Sequence, residues 1–425
     1  MVSLRRGLAV LGFFLVAAGV RAVDVSAILE TRLQVDNRFN RSARVLGEVW
    51  GDADLAGRDW QLHASWVGRM SSLPDDSGGR LYQGFLAKRW PWLNSVVRLG
   101  RFQRADVAGL YLLDGAQWDY QVGGWQVQWY GGRPVRLDHV RSVQADFAYG
   151  VNLSRRETVD WSLGGWRWSG YRLGVGFQGF RRNGDPSRRL QARGGVYGTW
   201  GSGRVWEVNL AAVYRFDRRR FEDVWFQGFV DLPQRFRFRG YYEYYRPRAP
   251  FPTFRERFVS AYALGEQSLL RLGLERRPKP SLRYFVVGQR ATRADGFDGY
   301  GIRAGGDVGW RDHRWSVVYD YLEIGYDDAH SAYGQWRYVW NSRLESRLNV
   351  ALRRERKLLY GDNWARGGEV GLRYLFSTAT VVDLSVSYVA NSRRRDDYVG
   401  AVRLVYYFDR FRPKQERETC AASCW

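Results

Sequence analysis

From Val23 onward one pattern recurs along the chain: runs of roughly eight to twelve residues in which apolar and polar positions alternate, parted by turn-forming residues. Tyr300–Trp310 shows it most plainly. Tyr300, Ile302, Ala304, Gly306, Val308 and Trp310 form one set, and Gly301, Arg303, Gly305, Asp307 and Gly309 the other. A strand sends successive side chains to opposite faces, so one face is apolar and the other is glycine and charge. Such a segment, tilted about 45°, rises roughly 23 Å, the height of the apolar band of a transmembrane barrel. An aromatic residue closes the apolar face at each end, where two membrane interfaces would call for one.

The same reading holds elsewhere. Tyr171, Leu173, Val175 and Phe177 oppose Arg172, Gly174, Gly176 and Gln178. Phe236, Phe238, Tyr242 and Tyr244 oppose Arg235, Arg237, Arg239 and Glu243. Toward the end, Val370, Leu372, Tyr374 and Phe376 oppose Glu369, Gly371 and Arg373, and Val402, Leu404, Tyr406 and Phe408 oppose Ala401, Arg403 and Tyr407. The pattern predicts an all-β fold: a single antiparallel transmembrane β-barrel of about 22–24 strands, an even number, over residues 23–408. Gly123-Gly124 is a hairpin turn of the kind such pairs favour. Arg104–Asp114 and Arg133–Ser142 read as longer connections, and Val159–Trp168 and Arg257–Leu264 as strands. With these assignments the alternation of short turns and longer loops slips in the middle. One strand is therefore missed or overcounted on each side of Arg246–Thr253. No plug domain is visible, nor any loop much beyond about a dozen residues. A propeller or solenoid would repeat at about forty residues or more, and no such repeat occurs.

The composition adds location and charge. Residues 1–22 read as a signal peptide, with Arg5 and Arg6 before the apolar Leu8–Val16 and small residues before a cut at Val23. Removing Arg5, Arg6 and Arg21 with it lowers the formal charge from +22 to +19. Nucleic acid would be the expected partner of such a balance inside a cell, but an exported chain does not routinely meet it. Outer-membrane lipid headgroups, an anionic solute or an acidic protein fit better. Cys420 and Cys424, in the tail 409–425, are the only cysteines. A disulfide framework and c-type haem attachment are therefore excluded. The two cysteines could close a local disulfide, stay reduced until they meet a partner, or bind metal.

Gly400–Phe408, with Val402, Leu404, Tyr406 and Phe408 in phase, is similar to the terminal strand by which Gram-negative outer-membrane proteins are read by the barrel assembly machinery. Gly100-Arg101 followed by Leu113-Asp114-Gly115-Ala116 resembles porin sequences. The chain departs from the pattern by running on through 409–425. The resemblance implies the outer membrane of a Gram-negative bacterium.

Catalysis is not expected. His63, His139, His313 and His330 stand in no catalytic spacing, and His63 shares its face with Gln61 and Ser65, as a lumen-lining residue would. The acidic pairs Asp75-Asp76, Asp327-Asp328 and Asp396-Asp397 read as solvated loop charge, and no metal or other cofactor is assigned. The informative set is the polar face. It carries Arg172, Arg235, Arg237, Arg239, Arg271, Arg283, Arg303, Arg343, Arg347, Arg353, Arg373 and Arg403. Against these twelve stand seven acids: Glu207, Glu243, Glu275, Asp307, Glu345, Glu369 and Asp383. Rings of arginine in a pore favour anions, while part of the set must brace neighbouring strands as ion pairs. Tyr300, Trp310, Tyr374, Phe376, Tyr406 and Phe408 are the expected membrane-interface aromatics. The leading expectation is a channel for anionic solutes. Two alternatives stand beside it: a sheath around a periplasmic multihaem cytochrome, since the chain resembles the barrel component of porin–cytochrome conduits, and an exporter of an anionic polysaccharide.

Overall fold

A computed structural model describes residues 24–37, 44–72, 77–106, 109–135, 146–182, 185–245, 267–293, 298–324, 327–357, 361–392 and 396–408. Residues 1–22, Cys420 and Cys424 lie outside these residues. The strands in order are β1 (Asp24–Asp36), β2 (Arg44–Ala56), β3 (Trp60–Ser71), β4 (Gly78–Trp90), β5 (Ser95–Asp106) and β6 (Gly109–Val122). Then come β7 (Trp125–Val135), β8 (Phe147–Leu163), β9 (Trp166–Arg182), β10 (Asp185–Trp200), β11 (Arg204–Arg215) and β12 (Arg220–Leu232). After β13 (Phe236–Tyr245) follow β14 (Gln267–Lys279), β15 (Leu282–Arg293), β16 (Asp298–Trp310), β17 (His313–Ile324) and β18 (Asp327–Val339). The last four are β19 (Leu344–Lys357), β20 (Gly361–Leu375), β21 (Thr380–Asn391) and β22 (Asp397–Phe408).

Each strand pairs antiparallel with the next, and β22 pairs back onto β1, Ala27 opposite Phe408 through Asp36 opposite Val399. The result is one closed barrel of 22 strands. Closure removes every sheet edge, which is what lets a β-fold cross a bilayer with its backbone groups satisfied.

One end of the barrel carries tight turns. Gly123-Gly124 has φ of 53° and 80°, as a hairpin turn with two left-handed residues requires, and Gly164-Gly165 repeats it at 57° and 82°. Single 3-10 turns at Pro91–Leu93 and Pro233–Arg235 serve the same end.

The slip in the sequence count has two sources, one on each side of Arg246–Thr253. Val159–Trp168 is not a strand but the tip of the β8–β9 hairpin, with the Gly164-Gly165 turn inside it. Arg257–Leu264 lies outside the described residues; in the barrel β13 and β14 pair directly, with no strand between them. A third correction is at Arg104–Asp114, where β5 and β6 run on in register through Asp106 opposite Gly109. Phe102 and Ala105 belong to β5, and Leu110 and Leu112 to β6. Arg133–Ser142 is likewise strand at its start, since β7 reaches Val135.

Candidate functional site: the inner wall

Which face of the sheet is inside is decided by a contact that skips strands. The Gln178 amide on β9 donates to the Tyr111 hydroxyl on β6 at 2.9 Å, with β7 and β8 between them. The Tyr111 and Phe180 rings meet edge to face at 6.3 Å. Side chains converge in this way on the concave face of a curled sheet and splay on the convex one. Followed through the strand register, the face of Tyr111 and Gln178 is the one that carries the charged residues. The opposite face carries Leu173, Val175, Leu210, Leu272, Ile302, Val317, Val386 and Val402, all exposed. A closed cylinder with an apolar outside and an ionic inside belongs in a bilayer, since a soluble protein does not expose so large an apolar surface.

The chain is an outer-membrane β-barrel. Among solved structures the siderophore receptor PirA from Pseudomonas aeruginosa is similar to it at a TM-score of 0.57, with 13% identity, covering 91% of this chain and 80% of the receptor. The P pilus usher PapC translocation pore (TM-score 0.46, 8% identity, 91% and 99% of the two chains) and OccAB1 of Acinetobacter baumannii (0.42, 9%, 91% and 96%) superpose more loosely. At these identities the likeness is one of fold. No protein-family model matches the chain, and no curated protein does. With that fold and its two faces, the protein resides in the outer membrane of a Gram-negative bacterium.

Most of the inner-wall arginines are engaged in ion-paired ladders. At the closing seam Arg403 grips Glu30 through two hydrogen bonds of 2.7 Å and reaches Asp383 at 3.2 Å, while Arg373 donates to the other Asp383 oxygen at 2.9 Å. On β14 the nearly buried Glu275 accepts from Arg277 at 2.6 Å and lies 3.2 Å from both Arg239 and Arg283. Arg283 also reaches Asp307 at 3.1 Å. Arg237 pairs with Asp231, Arg303 with Asp320 at 3.6 Å, Arg347 with Glu369 at 3.2 Å and Arg353 with Glu355. Arg172 pairs with Glu207. Glu30, Asp231, Asp320 and Glu355 were not among the seven acids weighed from sequence, so the pairing is denser than the alternation implied.

Three arginines differ. Arg271 has no acidic partner among the described residues; it donates to Gln289 at 3.3 Å and lies over the Tyr241 ring. Arg235 is not on the strand face: it belongs to the 3-10 turn before β13, with φ of 62°, and donates to the Pro278 carbonyl at 2.5 Å. Arg343 is likewise in a turn, where the Asn341 side chain accepts its backbone N–H at 2.8 Å. Alternation cannot mark the residue at which a strand gives way to its turn.

The six nominated aromatics all stand exposed on the apolar face or its margin. Tyr300 and Trp310 lie at opposite ends of β16, and Tyr374, Phe376, Tyr406 and Phe408 lie toward the turn end. Sequence reading missed a larger group. Trp161, Trp166, Trp168, Trp200 and Trp206 form one chain of ring contacts, with centroids from 4.5 to 5.8 Å apart. In the parity of β9, Trp166 and Trp168 belong with Arg172. Register shifts at Thr158/Trp161 and Tyr197/Gly198 move them to the apolar face. A bulge leaves no mark in a count of alternate residues.

Two further arrangements were not anticipated. Toward the mouth, Phe102, Tyr111, Leu113, Tyr130, Ala148 and Phe180 pack into a buried cluster on the inner face, where the lumen was expected to be wet. On β2 and β3, His63 lies 3.1 Å from Asp54 and 3.9 Å from Asp52, and the three side chains offer ligand atoms within 4.8 Å of one another. These residues could hold a divalent cation; Gln61 donates to Asp54 at 2.7 Å and steadies it.

Proposed function

We propose that the protein is a non-enzymatic channel of the outer membrane whose inner wall favours anionic solutes. What carries the reading is the set of inner-wall arginines with no acidic partner among the described residues, Arg32, Arg156, Arg193, Arg271 and Arg314. The ladders brace the wall and cancel their own charge. Unpaired guanidinium groups do not cancel, and they lower the energy of an anion at the wall while raising that of a cation.

Tyr300, Trp310, Tyr374, Phe376, Tyr406 and Phe408 then act as interface anchors, with the tryptophan group at the β8–β11 turn end as the heaviest of them. The test is a planar-bilayer measurement of reversal potential across a potassium chloride gradient. The expected sign is that of chloride preference; a potential of potassium sign overturns the reading.

A further inference from the structure

The unpaired arginines are not spread evenly. Arg156 on β8 stands directly opposite Arg172 on β9, and Arg193 lies on the next strand opposite Gly174. Like charges directly opposite destabilise a sheet. Facing arginines elsewhere on the wall keep at least one acid: Glu222 lies between Arg189 and Arg215, Glu30 holds Arg403 opposite Arg32, and Glu345 holds Arg337 opposite Arg314. Here too one of the facing pair has an acid, Arg172 with Glu207, and Arg172 also donates to Asn209 at 3.1 Å; what differs is a third guanidinium beside them, Arg193, with no acidic partner among the described residues. Arg156 and Arg193 are exposed to the lumen.

The same residues line a recess of about 930 Å³, with Gln126, Ser154, Asn209 and the Trp225 indole on its walls. Its depth comes from glycine. A Cβ on Gly174 would come within 2.7 Å of the Arg193 Nε, and one on Gly195 within 2.3 Å of Asn209, so both side chains lie flat over bare backbone. A second hollow, continuous with the first through Gln126, Ser154 and Arg193, adds Gln191. Gln126, Ser154 and Gln191 have no hydrogen-bond partner among the described residues.

We infer that this recess binds a carboxylate-bearing sugar, a uronate or a short chain of them. The inference rests on the channel reading and names its substrate class. Guanidinium forks match carboxylates two bonds at a time. Free amides and a hydroxyl both donate and accept, as ring hydroxyls need. An indole offers an apolar plate for a sugar face. A volume near 930 Å³ suits a ligand of a few rings. The bound carboxylate also supplies the acidic partner that Arg156 and Arg193 lack among the described residues.

The test titrates the reconstituted full chain with trigalacturonate and counts interruptions of single-channel current. Trigalacturonate is expected to block, with neutral maltotriose at least tenfold weaker. Arg156→Gln with Arg193→Gln should raise the half-blocking concentration at least tenfold, while Arg290→Gln, on the outer face beside Asp298, leaves it unchanged. Should the double variant fail to insert, the paired lysine replacements keep the charge and lose the fork, and should raise it at least threefold. Equal block by the neutral sugar, an unchanged value in the variants, or equal block by inorganic phosphate overturns the inference. Reversal potential separates the two claims. An anion-selective pore that trigalacturonate never blocks refutes the recess alone, and arginine-dependent block in a pore without anion preference refutes the channel reading alone.

Discussion

Glu275 shows how much a single inner-wall residue carries. Its side chain is 5% exposed and faces Arg239, Arg277 and Arg283. Glu275→Gln leaves three guanidinium groups sharing a neutral amide, and breaking a buried pair in this way costs about 3–5 kcal/mol. A matching fall in the urea midpoint of heat-modifiable migration is the expected result. Asp217, in the turn between β11 and β12, is a milder case. Burial pushes its carboxyl up, but its hydrogen bonds from Arg215 more than offset that and hold it below the usual carboxylate range. A depressed folded pKa adds stability above the ordinary value, lost as pH falls through the folded one. Asp217→Asn should therefore lower stability at pH 7 and flatten its acid limb below about pH 4, where the wild-type advantage is already lost. At this scale alternation is simplest to read where a residue sits mid-strand: Arg237, Arg239, Arg303, Arg373 and Arg403 each pair with an acid on their own face of the sheet. Partners were less legible, because Glu30, Asp231 and Asp320 reach their arginines from neighbouring strands, and pairing across strands depends on register.

Elements are held to their curvature by glycine. Gly100, Gly115 and Gly132 stand opposite one another on β5, β6 and β7. A Cβ on Gly115 would come within 2.1 Å of the Gly131 carbonyl oxygen, one on Gly132 within 2.4 Å of the Asp114 oxygen, and Gly100 has φ of 124°. Backbones pass too close there for any side chain. Gly115→Ala should destabilise the barrel by about 1–3 kcal/mol, the scale of backbone strain, and lower its folded yield. Gly334→Ala, with nothing within 4 Å, should change stability by no more than about 0.5 kcal/mol. The stretch that resembles porins, Gly100-Arg101 and Asp114-Gly115, is this same crossing: Arg101 clasps Asp114 across it with bonds of 2.5 and 2.6 Å. Strand existence was legible from period-two patterning, and the number of strands nearly so. What patterning could not show was the bulge, which flips parity inside a strand, and a glycine pair set between tryptophans that keep up the alternation, which hid the β8–β9 turn.

At the scale of the whole barrel, geometry limits how charge can act. Twenty-two strands about 4.8 Å apart and tilted about 45° enclose a cylinder roughly 45 Å across between backbones. The packed cluster of Phe102, Tyr111, Leu113, Tyr130 and Phe180 fills part of the mouth on one side, yet much of the section is too wide for wall charges to be felt at the centre. The Debye length is about 10 Å at 0.1 M salt and 3 Å at 1 M. An anion crossing near the axis at high salt meets almost no field from Arg193 or Arg271, while one crossing along the wall meets both. Selectivity in such a pore must therefore fade with ionic strength, and preference among anions must be exercised at the wall. The reversal potential should show clear anion preference at 0.01 M, where the Debye length is about 30 Å, and approach that of bulk diffusion at 1 M. Arg193→Gln with Arg271→Gln should lower the low-salt potential and leave the high-salt one as it was. A preference equally strong at both concentrations would mean a constriction narrower than any the inner wall provides by itself, and would overturn the wall-charge account.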